Sequence, residues 1–436
     1  MAGEWIEKAI GDIAEVIGGS TPSTKDPANF DGDIPWLTPK DLSGPHPRYV
    51  RRGERNLSRQ GLESCSAQLL PPNAVLLSSR APIGYVAIAA NPIATNQGFR
   101  SLVVKPECDH EFLYYWLTAN VEELERHASG STFKELSGTS LKKIRIRLPR
   151  DRAEQRAIAH ILGTLDDKIE LNRRMSETFE AMARALFKSW FVDFDPVRAK
   201  AAVRREHSDW TNEQVSRAAC PNLKPKIARL FPDSFENSEL GEIPRGWRIQ
   251  RLADVIDIFD SRRVPLSGRQ RAERQGPYPY YGAAGVMDSV DDFLFEGVHV
   301  LLGEDGSVVK ADGRPYTQYV WGKFWVNNHA HVLRGRCITS EILLVFLDQC
   351  DVAPFVTGAV QPKLSQGNLK KIPFIDAGNT LLRLFGEIVD PLFAQIRDAT
   401  EESRTLAALR DALLPKLISG QLRVKDADKF LQERGL

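Results

Sequence analysis

The sequence predicts a mixed α/β (α+β) chain in which two globular modules are separated by two long antiparallel helices packed as a coiled coil, with an internal pseudo-twofold repeat. Three observations lead there. Segments of the two halves match in one order at a nearly constant offset, the first part of each half has short apolar runs broken by Gly and Pro, and the second part carries apolar residues at helical steps.

Gly130–Ile144 (GSTFKELSGTSLKKI) lies without a gap over Gly358–Ile372 (GAVQPKLSQGNLKKI), which places Leu141 on Leu369 at an offset of 228. Farther on, Ser176, Phe179, Met182 and Leu186 meet Ser403, Leu406, Leu409 and Leu413 at an offset of 227. The beginnings agree as well: Trp5, Ile10, Asp12 and Ile13 correspond to Trp247, Leu252, Asp254 and Val255, and Glu111–Leu117 to Glu341–Leu347. Chance similarity between amphipathic segments would not keep one order and one register, so each half runs from a globular segment into a helix.

The strand-like runs are Val75–Ser78 and Val86–Ala89 in the first half, and Val300–Leu302 and Tyr319–Trp321 in the second. Over 154–191 the apolar stripe is Ile158, Ile161, Leu162, Leu165, Ile169, Met175, Phe179, Met182, Leu186 and Trp190, interrupted by no Gly or Pro except Gly163. Over 379–417 it is Leu381, Leu384, Ile388, Leu392, Ile396, Leu406, Leu409, Leu413 and Leu417, with a kink or an offset entry expected near Pro391 and fraying at Pro415. Each helix of roughly forty residues would be about 60 Å long. Two narrow stripes in one chain either pair with each other or pack separately on their own modules; the repeat favours pairing. The resulting division is a module over 1–150, a helical region over 151–194, a connector over 195–246, a second module over 247–376, a second helical region over 377–424 and a tail over 425–436. The connector holds five prolines and the basic Arg198, Lys200, Arg204 and Arg205, and reads as a long link with some local helix.

With 436 residues and 42% hydrophobic content, the chain can bury more than one core. Lys and Arg number 58 against 57 Asp and Glu, so a polyanion would have to be met by local positive charge or by charge on partners. The start has no basic and then apolar leader, and no apolar run reaches membrane-spanning length, so a cytoplasmic protein is expected. Five scattered cysteines without a Cys-x-x-Cys pair argue against a disulfide framework or a zinc knuckle, and read as reduced, buried thiols.

Three stretches resemble the specificity (S) subunits of Type I restriction-modification enzymes. Glu154–Asn172, with Leu162-Gly163-Thr164-Leu165-Asp166-Asp167-Lys168, is similar to their central region; Leu186–Val197 follows it as in that family, and Leu413–Leu422 is similar to their C-terminal region. Ile34–Leu42, Ser78–Gly84 and Thr95–Phe99 are more loosely similar to target-recognition domains, whereas the second module departs at Tyr278–Gly282, Leu302–Gly306 and Asn327–Ala330. The resemblance implies a non-catalytic subunit that reads double-stranded DNA as two half-sites around an unread spacer. It also implies assembly with two methyltransferase (M) subunits and two motor-nuclease (R) subunits. S-adenosylmethionine, ATP and Mg would then be held by those partners, with no cofactor in this chain.

The residues agree that chemistry is lacking. There is no Asn/Asp-Pro-Pro-Tyr/Phe loop to hold a flipped base, no P-loop and no Glu-x-Lys. Gly303–Ser307 is too acidic to cradle phosphate. His329 and His331 would share a strand face, but no acid or cysteine pattern adjoins them, so no metal is expected.

The candidate DNA contacts are basic and polar. Arg48, Arg51, Arg52, Arg55 and Arg59 crowd a loop of the first module, and Arg262, Arg263, Arg269, Arg271 and Arg274 a similarly placed loop of the second; arginines can fork onto guanine or pair with phosphate, and they can also be an ordinary charged surface. Arg80 lies in a family-like stretch. Lys142-Lys143 and Lys370-Lys371 recur beside the helix entries, where phosphate contact would orient without reading. Ser131, Lys134 and Ser137, with Gln361, Lys363 and Ser365, precede those pairs. Asn96, Gln97, Asn328 and His329 could contact bases, while amides close turns equally often. Trp36, Tyr280 and Tyr281 read as core. Two rival functions stay open: a methyltransferase or nuclease with an unrecognised motif, and a scaffold that binds only proteins.

Overall fold

The computed structural model describes residues 4–130, 134–358 and 360–432. It divides into two compact units, Met1–Arg173 with Glu401–Leu436 and Arg174–Thr400.

In the first unit, a five-stranded sheet runs in the order Ala14–Gly18, Arg100–Val104, Val75–Ser79, Ile83–Ala89, Tyr49–Val50, antiparallel except at its last pair. Val75–Ser79 is buried at every position, which explains its unbroken rather than alternating apolar run. A smaller sheet pairs Phe30–Leu37 with Ala94–Thr95 in parallel, Trp36 opposite Ala94. Trp5–Ala9 closes against Arg145–Pro149.

The second unit repeats this frame in four strands of the main sheet, without a counterpart to Tyr49–Val50 among the described residues. Ile256–Ile258, Ala330–Gly335, His299–Gly303 and Thr317–Val320 form an antiparallel sheet in the corresponding order, again with a fully buried strand at His299–Gly303. Tyr278–Tyr281 pairs in parallel with Lys323–Val326, Tyr280 opposite Trp325, as Trp36 opposes Ala94. Arg248–Arg251 closes against Pro373–Asp376. Even single backbone bonds recur: Ile10 N–H donates to Ile144 O at 2.9 Å and Leu252 N–H to Ile372 O at 2.8 Å. The main divergence is a long excursion over 304–316 where the first unit has the tight turn at 80–82. Trp36 and Tyr280 are both buried, as the sequence suggested, whereas Tyr281 is only partly buried.

The central helix spans Arg152–Phe187 and continues in a π-helical turn, Lys188–Val192; the C-terminal helix spans Asn379–Ile418. Each is divided between the units. In the first, Ile158, Leu162 and Leu165 share a core with Leu406, Leu413 and Leu417. There Asp166 meets Arg410 (2.7 Å) and Asn172 meets Glu402 (2.6 Å), so partner numbers fall as central-helix numbers rise and the segments are antiparallel. In the second, Phe187 and Trp190 pack on Phe385 with ring centroids 5.8 and 5.5 Å apart.

Four expectations change. Met182 and Ile388 of the predicted stripes are 52% and 36% exposed, while Ala183, Phe385 and Val389 take the core positions, because a stripe stepped by three and four drifts around a 3.6-residue helix. The C-terminal helix does not fray at Pro415: it runs on to Ile418, and Ser419 N–H still bonds Pro415 O (3.1 Å). It stops at Gly420, whose φ of +77° admits the 3.0 Å bond from Leu422 N–H to Lys416 O, and a Cβ there would lie 2.8 Å from the Trp5 ring. The connector is folded: the helices Asp195–Glu206, Asn212–Ala219 and Pro225–Ala228 surround the fully buried Lys200. Its ammonium donates to Asn212 Oδ1 (2.8 Å), Ala228 O (3.2 Å) and Phe231 O, and burial draws its pKa down. Of the five free cysteines only Cys108 and Cys220 are buried; Cys337 is exposed.

The start of Ser340–Leu347 is tied to the C-terminal helix by Thr339 Oγ1–H donating to Asp390 at 2.8 Å. Burial pushes the Asp390 carboxyl up to about 6, the Thr339 bond and Arg397 opposing and Glu341 adding to the rise. A carboxyl whose folded pKa exceeds its unfolded value of about 3.9 costs stability when ionised and recovers it as pH falls through the folded pKa. Asp390→Asn is therefore expected to exceed the wild type in urea stability at pH 7.5 by on the order of 1 kcal/mol, discounted for partial exposure. The gap should close between about pH 6 and pH 4; a gap independent of pH would show that Asp390 does not titrate there.

Candidate nucleic-acid interface

In each unit the buried central strand delivers a loop to the same place. Ser79 N–H donates to Gly98 O (2.7 Å) and Leu136 N–H to Ser79 O (2.9 Å); in the second unit Glu304 N–H donates to His329 O (2.8 Å) and Leu364 N–H to Glu304 O (2.8 Å). Three loops thus converge twice on one backbone frame, and different side chains stand at equivalent points.

In the first unit the frame gathers Arg80, Asn96, Gln97 and Lys134 with Arg100. Arg80 and Arg100 lie 3.6 and 2.9 Å from Glu135, and Gln97 Oε1 accepts from Thr21. Lys134 is exposed. The short helix Gly138–Lys143 follows, with Lys142 and Lys143 exposed in its last turn. The arginine loop stands apart and is not uniform. Arg51 and Arg52 are exposed, and Arg55 lies over the Phe30 ring (4.1 Å) and bonds Asp31 (3.2 Å). Arg48 is corrected outright: its side chain is 9% exposed and bonded to Tyr115 (2.7 Å) and Asp167 (3.0 Å), so it is an internal tie rather than a surface contact.

In the second unit the frame gathers Arg263, Asn328, His329 and Lys363. Arg263 is 12% exposed and donates to Glu304 (2.7 Å) and Ala330 O (2.7 Å); Lys363 lies 3.3 Å from Glu304, and His329 bonds Asp305. Arg263 is thus also held inward. His331 points elsewhere than His329, its Nδ1 2.6 Å from Asp260 and its Nε2 2.7 Å from Leu364 O. Asp260, Glu304 and His331 come within ligand distance of one another, an acid neighbourhood that sequence spacing hid. Arg263 and Lys363 already balance Glu304, and burial, which would raise Asp260, is outweighed by its bonds from His331 and Val332 N–H, so the carboxyl sits below its usual range. The cluster is an ion-pair network. Arg262 lies over Phe295 (5.1 Å), Arg269 pairs with Glu273 (2.9 Å), and Arg271, 18% exposed, pairs with Asp288 (3.0 Å), leaving Arg271 inward too. Lys370 and Lys371 are exposed after the short helix Gln366–Leu369.

The family described as Type I restriction modification DNA specificity domain matches residues 2–181 and 244–375. The chain belongs to this family. The Type I restriction enzyme MjaIX specificity subunit of Methanocaldococcus jannaschii is 34% identical over 443 residues, covering 97% of this chain and 94% of the relative. The Type I restriction enzyme HindI specificity subunit of Haemophilus influenzae is 24% identical, covering 74% of this chain and 80% of its own. The crystal structure of a Type-I restriction-modification system S subunit from M. genitalium shares the fold at 18% identity, with a TM-score of 0.54 and 95% and 96% of the two chains covered. This chain is accordingly a specificity subunit, the non-catalytic component of a Type I system.

Of the candidate base contacts in this specificity subunit, Asn96 closes a turn instead. Asn96 Oδ1 accepts from Gly98 N–H (2.9 Å), and it is Asn327, not Asn328, that repeats this by accepting from His329 N–H (2.8 Å). The equivalent tip residues are Gln97 and Asn328, both exposed. Ser137 and Ser365 likewise cap the short helices, accepting from Ser140 N–H (3.0 Å) and Asn368 N–H (3.2 Å). Ser131 lies outside the described residues. Arg100, which the sequence reading passed over, directly follows the family-like Thr95–Phe99.

Ala at Asn96 or Asn327 should therefore lower stability by about 1 kcal/mol through loss of the turn bond, whereas Gln97→Ala and Asn328→Ala should stay within about 0.5 kcal/mol of wild type. Urea denaturation of the four variants checks this; equal costs at all four would mean that the tips are structural as well.

Proposed function

We propose that this specificity subunit reads a bipartite, asymmetric site in double-stranded DNA, one half-site per unit, and anchors two methyltransferase and two motor-nuclease subunits. The observation that carries the reading is the repeated loop frame with unlike side chains: Gln97 against Asn328, Arg80 against Asp305, Glu135 against Lys363. Two identical frames with identical loops would read the same half-site twice; unlike tips suit two different sequences. Base contact falls to Gln97, Asn328 and His329 at the tips, with Arg80, Arg100 and Lys134 beside them. Lys142-Lys143 and Lys370-Lys371 take phosphates, fixing orientation without reading sequence. Arg51, Arg52 and Arg262 are further exposed cations for the backbone.

Near-zero net charge fits this division of labour, since partners supply the remaining phosphate neutralisation. S-adenosylmethionine, ATP and Mg belong to those partners, and the assembly works in the cytoplasm; no described helix is long and apolar enough to cross a membrane.

Exchange of residues 1–150 for the matching segment of a relative, followed by methylation mapping in cells that also supply the M subunit, should change one half-site and leave the other intact. A change in both half-sites would contradict modular reading, and methyl transfer from S-adenosylmethionine by the purified chain alone would restore the enzyme alternative.

A further inference from the structure

Arg48 comes from the first module, just ahead of the strand Tyr49–Val50, yet its guanidinium lies against the central helix. It donates to Tyr115 Oη at 2.7 Å and to Asp167 at 3.0 Å, with Glu111 at 3.4 Å. Tyr115 in turn donates to Asp166 at 2.6 Å, and the other oxygen of Asp166 accepts from Arg410 at 2.7 Å. Burial first, and then Asp166, push the Tyr115 hydroxyl above the ordinary tyrosine range, so it stays protonated and donates. A single chain of bonds therefore runs from a module loop through the segments of both long helices that belong to this unit.

Gly163 is the second observation. It is the one glycine in the central helix, at an interior position where only proline is a poorer helix former. A Cβ added there would stand 2.3 Å from the Arg48 guanidinium nitrogen and 3.2 Å from its carbon. The guanidinium cannot swing aside without giving up its bonds to Tyr115 and Asp167, and it keeps this place although its Nε finds no partner. The other unit solves the problem differently. Glu341, the counterpart of Glu111, accepts from Tyr319 (2.6 Å) and from Arg397 (3.0 Å), an arginine that the C-terminal helix itself supplies.

We propose that Arg48, seated in the gap left by Gly163, is a positioning residue that fixes the angle of the first module on its helix pair and so helps to select the DNA spacer. This rests on the bipartite reading above. A module turned on its seat lands its tips at another point along the duplex, where one base pair is ~3.4 Å, without changing which bases those tips prefer.

The test is a cycle of Gly163→Ala, Arg48→Ala and the double variant, each in complex with the M subunit. Methylation rates are measured on duplexes with the mapped half-sites and spacers one pair shorter, native or one pair longer, together with the salt slope of binding and Tm. Gly163→Ala should lower Tm, whereas in the Arg48→Ala background the same change should raise it, as Ala does in an open helix. Preference for the native spacer should drop on the order of tenfold in Gly163→Ala, with half-site sequences and salt slope unchanged. A higher Tm with unaltered spacer preference in Gly163→Ala overturns the proposal. So does a salt slope lower by about 0.9 in Arg48→Ala with spacer preference kept, which would make Arg48 a phosphate contact. If the wild-type complex itself shows no spacer preference, the bipartite reading and the spacer role fall together, and the Tm cycle alone decides whether Arg48 is seated through Gly163.

Discussion

Leu406, Leu413 and Leu417 fill a core that Ile158, Leu162 and Leu165 begin, and the ion pair beside them joins residues 244 positions apart in sequence. That antiparallel contact is the constraint on which the first unit depends. The central helix cannot bury its apolar face on the first module alone, and the segment that completes it belongs to the far end of the chain. The second unit is completed in the same way, Phe187 and Trp190 meeting Phe385 in a core that also holds Phe393. Each helix thus serves two cores, one with each of its ends, which explains why helical periodicity is sustained beyond what a single module could use.

Function follows from what is and is not repeated. The backbone frame recurs down to individual bonds at the loop junctions, while the tips, the excursion over 304–316 and the charges around the frame differ. A duplicated frame with unlike tips suits recognition of an asymmetric ligand. Glu135 in one unit and Glu304 in the other sit among cations, so the local field at each frame is moderated rather than strongly basic. That agrees with the balanced charge of the whole chain, and leaves a large part of any phosphate attraction to partner subunits.

Much of the fold was legible in the sequence because the repeat and the helical period are properties of spacing alone. Parallel strand pairing was not, since Trp36 with Ala94 and Tyr280 with Trp325 are contacts between short segments separated by turns that give no local signal. The candidate site was legible by residue type but not by partner. Arg48 and Arg263 look like surface cations until Asp167 and Glu304 are brought beside them, and Asn327 differs from Asn328 only in which amide faces its own backbone. Gly163 stood out as an interruption, but its reason lies in a side chain 115 positions earlier, beyond the reach of any local pattern.

The claim that half of each long helix belongs to each unit is tested most directly by hydrogen exchange in Leu162→Ala, a fully buried position where truncation costs about 2–5 kcal/mol. Shared cores predict that protection falls together in 155–173 and 401–418, though these lie far apart in the chain, while 174–187 of the same helix and 379–400 keep theirs. Loss of protection along the whole of 152–187 with 401–418 unchanged would contradict the pairing and return each helix to its own neighbourhood.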